Sequence, residues 1–465
     1  MKYPFFALFA LLSSGLLAQE FLGISQSRYA GIQGVYANPA FSTLNQMKRE
    51  IGGVGYEFAF SNNFMGINGT LLNDLRSLTI YTSSFRDSYT YDNYSPTAPG
   101  QSNFLLNTSI QGPSFTTRLL KERAGFSIYT RRRSYFNVNN IDNAFFKQIY
   151  EGFKYQPLQN VNLQDNNFEF QFMSWKEIAA NFSLRVLNVD RHRLVVGVTP
   201  KFILGGDAIY LKSNGFNYSV LNDSTIRVRS ANLEFSHSSG FSLPKINFTS
   251  PFSQILQDLG QSPGTGYCFD LGAFYEFKTS KNADVYRLRV GASLTDLGSI
   301  RYQESIFSRD FYLQDSATIS LNDFKSLDVN KIDTSFINNF LSKPPAEYFS
   351  MRLPTAFQLT ADFRLNRWMY VAGSAFLPFD VPERFGGVKQ IRRFTVTPHL
   401  DFEQVSIMLP YSSNNYDQAN LGFAFRAKGM WIGTNDFLTL FGSNRQQSLS
   451  FFIATKFPIG LERAE

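Results

Sequence analysis

The chain has 465 residues, with 44 Lys and Arg against 37 Asp and Glu, and the resulting net charge of +7 is spread along its length, which excludes a concentrated nucleic-acid surface. Aromatic residues make up 16% (49 Phe and 23 Tyr), yet mean hydropathy is only −0.18 and charged residues are 17%. That mixture excludes an ordinary soluble globule and suits a barrel with a lipid-facing aromatic exterior and a wet interior, while a single cysteine, Cys268, excludes an internal disulfide.

The first element is a secretory signal peptide over residues 1–18. Lys2 precedes the apolar run "FFALFALLSSGLL", and Ala18 offers a small residue at the cleavage point. Export is therefore expected, and removing Lys2 leaves a net charge of +6, one below +7. No later run of about twenty apolar residues offers a transmembrane helix. Residues 19–50 form a second unit, an N-terminal segment that holds Tyr29, Ile32, Val35, Tyr36 and Phe41 and is too apolar for a free periplasmic tail. Its turn "NPA", Asn38, Pro39 and Ala40, lies ahead of any recognisable strand. The third unit, 51–465, is read as an all-β transmembrane antiparallel barrel.

Period-two alternation carries that reading. In "EIAANFSLRVLNV", Ile178, Ala180, Phe182, Leu184 and Val186 alternate with Asn181, Ser183 and Arg185. Next, Leu271, Ala273, Tyr275 and Phe277 oppose Asp270, Gly272, Glu276 and Lys278, with Phe274 breaking the pattern. Then Tyr286, Leu288, Val290, Ala292 and Leu294 oppose Arg287, Arg289, Ser293 and Thr295. Leu359, Ala361 and Phe363 oppose Thr360, Asp362 and Arg364; Phe394, Val396 and Leu400 oppose Thr395, Thr397, His399 and Asp401. Leu449, Phe451, Ile453 and Phe457 form the apolar face of the last strand. Alternation alone also fits a soluble sandwich, but runs of about ten residues match a tilted membrane-crossing strand.

Connection lengths agree. Short turns near 121–123, 188–191, 279–284, 366–367, 403–404 and 427–429 alternate with longer stretches at 61–102, 134–175, 207–265, 303–351, 380–392, 413–418 and 441–447. Six short turns and seven outer loops predict about fourteen strands, with both chain ends on the periplasmic side. The stretch "NFMGINGT" reads either as an extra strand or as the rim of the first loop. Helical spacing in "LLNDLRSL", "NNIDNAFFKQIYEGF", "PFSQILQDL" and "NDFKSLDVNKIDTSFINNFLSK", with a hairpin arm in "STIRVRSANLEFSHSS", predicts a partly structured outer cap.

A segment carrying "NPA" ahead of such a barrel resembles the outer-membrane long-chain fatty-acid transporter superfamily, which includes barrels associated with type IX secretion. The stretch "MRLPTAFQLTADFRLN" from Met351 is similar to the entry of a late strand in the same families, and the whole chain is closest in style to an uncharacterised outer-membrane barrel family of unknown function. The resemblance implies that residues 19–50 form a hatch inside the barrel, with Asn38, Pro39 and Ala40 in it. The chain departs from a typical barrel ending, because "PIGLERAE" follows Phe457.

Catalysis has little to work with. Of three histidines, His192 in a tight turn and His237 in a loop arm read as solvated. His399 and Asp401, two apart on one strand, share the lumen face and could pair as base and orienting acid. No nucleophile motif accompanies them, and neither a metal-spaced Cys/His set nor a phosphate loop occurs, so no enzyme and no cofactor are expected. The lumen-facing candidates are Arg185, Asp270, Glu276, Arg287, Arg289, Asp362, Arg364, His399 and Asp401, joined by Lys201, Lys278 and Lys456. Their mixed signs favour internal ion pairs and a plugged or narrow pore over a selectivity ring. Arg131–Arg133 in "YTRRRSY" read as a strand's outer end, either a lipopolysaccharide phosphate contact or a solvated rim. The functional expectation is a Gram-negative outer-membrane barrel that passes a small, hydrophobic molecule. The alternatives are a scaffold or shuttle for protein secretion and surface attachment, with secretion-system proteins as partners, and an outer-membrane hydrolase. Partners would be outer-membrane lipid and lipopolysaccharide.

Overall fold

The computed structural model describes residues 23–63, 66–67, 89–90, 100–150, 153, 155–241, 262–281, 285–313, 316–320, 340–380, 386–416, 419–437 and 447–459. The signal peptide, the cleavage point and three of the four helix-spaced loop segments lie outside these residues, apart from the last residues of "NDFKSLDVNKIDTSFINNFLSK".

Fourteen antiparallel wall strands close into a barrel. They are β1 (Arg49–Asn62), β2 (Gln101–Leu119), β3 (Ala124–Asp142), β4 (Glu169–Val189), β5 (His192–Ser213), β6 (Gly264–Lys278) and β7 (Tyr286–Gln303). The second half is β8 (Tyr348–Arg352 and Ala356–Arg364), β9 (Met369–Pro378), β10 (Arg393–Asp401), β11 (Val405–Met408 and Tyr411–Asn414), β12 (Ala419–Leu421 and Phe423–Ala427), β13 (Met430–Thr434) and β14 (Ser448–Pro458). Closure is direct: Tyr56 of β1 pairs with Ile453 of β14. A closed wall leaves no edge strand, so every ladder group finds a partner without water, which a lipid environment requires.

The faces separate as the alternation demands. Ile178, Phe182, Leu184, Val196, Phe269, Leu271, Leu359, Phe363, Phe394, Val396 and Phe451 are exposed on the outside, while Asn181, Ser183, Asp270, Glu276, Asp362, Thr397, His399 and Asp401 are buried inside. Phe274, the residue that broke its strand's pattern, is also buried inside, where its ring lies 6.2 Å from that of Phe41.

Two bulges in β7 shift the pattern locally. Near its start, Phe277 pairs with Leu288 but Lys278 pairs with Tyr286, so Arg287 is an extra residue. This corrects the reading of that strand: Tyr286 is buried and donates its hydroxyl proton to Asp362. Arg287 instead points outward, exposed, with its guanidinium 5.9 Å from the Phe363 ring. Farther along, Thr295 and Asp296 together oppose Asp270. Asp296 adopts φ 57°, a left-handed conformation that Asp tolerates, and the bulge turns Asp296, Ile300 and Tyr302 inward.

Beyond the wall, helix α3 (Asn143–Tyr150) falls within "NNIDNAFFKQIYEGF". A hairpin of Phe216–Asn222 and Thr225–His237 continues the outer end of β5. Gly66–Ile67, within "NFMGINGT", pairs with Tyr89–Thr90 in a separate small sheet, so these two residues are not part of the wall. His237 ends the hairpin and is not solvated as expected. It is 3% exposed between the Phe235 and Phe241 rings, and burial lowers its pKa below the ordinary histidine value.

Candidate functional site

Residues 23–47 lie inside the wall, and their side chains set how they are held. A 3-10 turn (Ile24–Gln26), helix α1 (Ile32–Ala37) and helix α2 (Phe41–Leu44) are too short to be stable alone. Nearly every residue from Ala30 to Asn45 is buried, so wall contacts supply what helix propensity does not.

The "NPA" turn rests on a belt of small residues. Gly125 of β3, Ser183 of β4, Gly197 of β5, Gly272 of β6 and Ser293 of β7 are direct cross-strand partners at one level of the barrel. The chain from Ala37 to Thr43 lies against this belt. The Asn38 amide donates to the carbonyls of Ala273 and Ala292, both at 3.1 Å, and its own oxygen accepts from the Ala40 amide at 3.0 Å. Asn181 donates to the Pro39 carbonyl at 2.9 Å, and Ser293 to the Ala37 carbonyl at 2.7 Å. Ser42 donates to Asn181 at 2.6 Å, and the Thr43 amide donates to Ser183 at 3.0 Å. Glycine is required for this approach: a Cβ on Gly197 would stand 2.4 Å from the Pro39 carbonyl, and one on Gly272 2.2 Å from the Asn38 side-chain oxygen.

Both flanks are tied to charged wall residues. Asp401 accepts from the Ser27 hydroxyl at 2.9 Å and the Arg28 amide at 3.2 Å. His399, beside it, stacks on Tyr370 with centroids 5.1 Å apart and places Nε2 3.2 Å from Asp362. His399 and Asp401 therefore do lie together, with Nδ1 3.8 Å from the carboxylate, and it is Asp401 that holds the start of the inner segment. Glu50 accepts from the Ile32 amide at 3.1 Å and from Lys456 at 2.9 Å, and Gln33 and Gln111 exchange amide hydrogen bonds at 2.7 and 2.9 Å.

Immediately outward of the belt is a buried ion cluster. Lys201 Nζ stands 2.7 Å from Asp270 and 2.8 Å from Asp296, Arg133 reaches Asp296 at 2.5 Å, and Arg131 pairs with Glu177. Three cations (Arg131, Arg133, Lys201) face three anions (Glu177, Asp270, Asp296), so the cluster is neutral. This corrects the rim reading of "YTRRRSY": Arg131 and Arg133 are 8% and 4% exposed in the interior, and only Arg132 lies on the outward face. A strand end that looks like a rim in sequence is interior here because β3 runs 19 residues and extends well beyond the arginines. A second group joins Glu276 to Arg193 at 3.2 Å and to Arg289 at 2.8 Å. Arg364 is half-buried and caps the turn by donating to the Asn366 carbonyl at 2.9 Å, and Arg185 is half-buried at the end of β4.

Farther outward an apolar cluster lines part of the lumen. Tyr135 and Trp175 stack at 5.4 Å, and Met173, Ile203, Cys268, Ile300, Tyr302 and Met351 join them in one buried cluster. Sequence reading missed the belt and this cluster. The glycines and serines of the belt sit on five strands far apart in sequence, and only the register aligns them.

A model of a family of unknown function, DUF5723, matches residues 39–435, and the chain belongs to that family. No curated protein matches it. Among solved structures it is similar to the toluene transporter TbuX of Ralstonia pickettii, with 9% identity, 93% of this chain and 95% of that chain covered, and TM-score 0.44. It is also similar to the P. putida toluene transporter TodX, with 10% identity, 95% and 96% covered, and TM-score 0.39. A Pseudomonas aeruginosa FadL homologue is similar at 10% identity, 92% and 94% covered, and TM-score 0.28.

Proposed function

We propose that this member of the DUF5723 family is an outer-membrane barrel that passes a small hydrophobic molecule, with residues 19–50 acting as its hatch and the turn at Asn38, Pro39 and Ala40 as the hatch's seat. The observation that carries the reading is how the inner segment is held. Residues 23–47 lie inside the wall, and residues 37–43 are held by hydrogen bonds to Ser183 and Ser293 of the belt and to Asn181 and the carbonyls of Ala273 and Ala292 beside it. The wall's own ladder closes from β1 to β14 without them. A filling that is not part of the wall can be displaced without opening the wall. Above it, Trp175, Tyr135, Tyr302 and Met351 offer an apolar lining, and a purely hydrophilic solute would gain nothing from that lining.

The test is the rate of uptake into proteoliposomes, above that of protein-free liposomes of the same lipid, of a graded series of alkyl and aromatic hydrocarbons, with a sugar of similar size as control. Uptake of the apolar series and not the sugar is expected. Equal exclusion of both, together with stable capture of a periplasmic or surface protein, would replace passage with the scaffold reading.

A further inference from the structure

Residues 386–392, ahead of β10, do not stay at the rim. Gly386–Gly387 pair in parallel with Met351–Arg352 of β8, and Gly386 reaches Tyr210 of β5 closely enough that a Cβ would stand 2.8 Å from its ring. The next residues continue to β3. There Asn137, 1% exposed, grips the Lys389 backbone from both sides: its oxygen accepts from the Lys389 amide at 2.8 Å, and its nitrogen donates to the Lys389 carbonyl at 2.9 Å. The Lys389 ammonium adds a 2.6 Å pair with Glu169 at the start of β4. Residues 386–392 thus cross the barrel interior from β8 to β3 and β4, and Val388 and Ile391, 1% and 3% exposed, press into the cluster of Trp175, Tyr302 and Met351.

We propose that residues 386–392 are a displaceable outer gate, latched by Asn137 to the opposite wall, with Val388 and Ile391 holding the space that an apolar group enters when the gate lifts. The inference deepens the passage reading and rests on it for the identity of what enters; the movement itself does not depend on it. The anchorage is local and severable. The Asn137 side chain and one partly exposed ion pair hold the far end, such an ion pair contributes little by itself, and two single hydrogen bonds, Gln390 to the Pro354 carbonyl at 3.1 Å and the Asn415 amide to the Arg392 carbonyl at 3.2 Å, complete the polar anchorage among the described residues. The near end is a parallel pairing of two residues. Its ladder contact with the wall is the two-residue pairing with β8, so lifting the segment breaks none of the ladders between wall strands. With the inner segment below and this gate above, the barrel is closed at two levels and need never be open through both at once.

The test reads gate position without any cargo. In a Cys268→Ala background, Val388→Cys is placed in the full-length protein in liposomes and reacted with a membrane-impermeant maleimide. Slow labelling is expected, rising at least tenfold when Asn137→Ala removes the latch and by a smaller factor with Glu169→Gln, while the heat-modifiable mobility of the folded barrel is retained. If Asn137→Ala does not assemble, the milder Asn137→Ser decides the question, since it too loses the two-sided grip on the Lys389 backbone. Labelling that stays slow in every folded latch variant overturns the gate and makes the segment a fixed part of the core. Labelling that responds while no hydrocarbon enters liposomes keeps the gate and removes the passage reading.

Discussion

Replacing Gly197 with alanine adds one methyl group at the point where the wall meets the inner segment. That Cβ would lie 2.4 Å from the Pro39 carbonyl carbon and oxygen and 2.5 Å from the Ala40 nitrogen. All three are backbone atoms, so no rotamer relieves the overlap. Ordinary contact needs about 3.5 Å, and the inner segment must move away by roughly 1 Å. Overpacking of this kind costs about 1–3 kcal/mol, and the shift also stretches the bond from Asn181 to the Pro39 carbonyl, now 2.9 Å, at about 1 kcal/mol. Docking should weaken by about 2–4 kcal/mol, which moves the docked equilibrium by roughly 30- to 1,000-fold. The wall itself should be indifferent, because alanine is no worse than glycine in a strand. Single-channel recording in planar bilayers should show bursts of conductance in Gly197→Ala that the parent lacks. Gly373→Ala is the control: the nearest atom to its Cβ is 4.0 Å away, and it should record like the parent. If Gly197→Ala and Gly373→Ala both leave conductance and protease protection of residues 23–47 unchanged, the belt does not seat the segment and the reasoning fails.

Deleting residues 19–48 should leave a folded, heat-modifiable barrel of higher conductance, because the wall begins at Arg49 and keeps its ladder; loss of assembly would make the segment part of the wall. Lys201→Met removes one of three cations from the neutral cluster, takes the ammonium from Asp270 and leaves Asp296 with Arg133 alone, and it should cost about 3–5 kcal/mol in unfolding from detergent micelles. An unchanged denaturation midpoint would show that the cluster tolerates net charge. Leu359→Arg, at an outward position 42% exposed, should cost about 2–4 kcal/mol when folding into bilayers, whereas Thr360→Ser on the opposite face should fold like the parent. Equal penalties would refute the assignment of faces.

How much of this was legible depends on whether a property is local. The outward row of Phe394 and Val396 and the inward row of Thr395, Thr397, His399 and Asp401 follow from alternation in nine residues. The same rule failed at Arg287, where one extra residue shifts the phase and sends Tyr286 inward. It also failed for Arg131 and Arg133, because sequence shows a strand's charges but not how far the wall extends beyond them. His237 looked solvated because the Phe235 and Phe241 rings beside it in sequence do not reveal that they pack on it. The helix-spaced segments "LLNDLRSL" and "PFSQILQDL" lie outside the described residues.

The sequence by itself determined the wall: period two, strand length and the order of short and long connections suffice for a closed barrel, because each strand must satisfy lipid on one side and water or polar groups on the other whatever its neighbours are. Tertiary structure alone decided the interior. The seat of residues 37–43 is made by Gly125, Ser183, Gly197, Gly272 and Ser293, and the latch on Lys389 by Asn137, residues tens to hundreds of positions away. A small side chain carries no signal of what approaches it, and only closing the barrel at one register brings those empty places to one level.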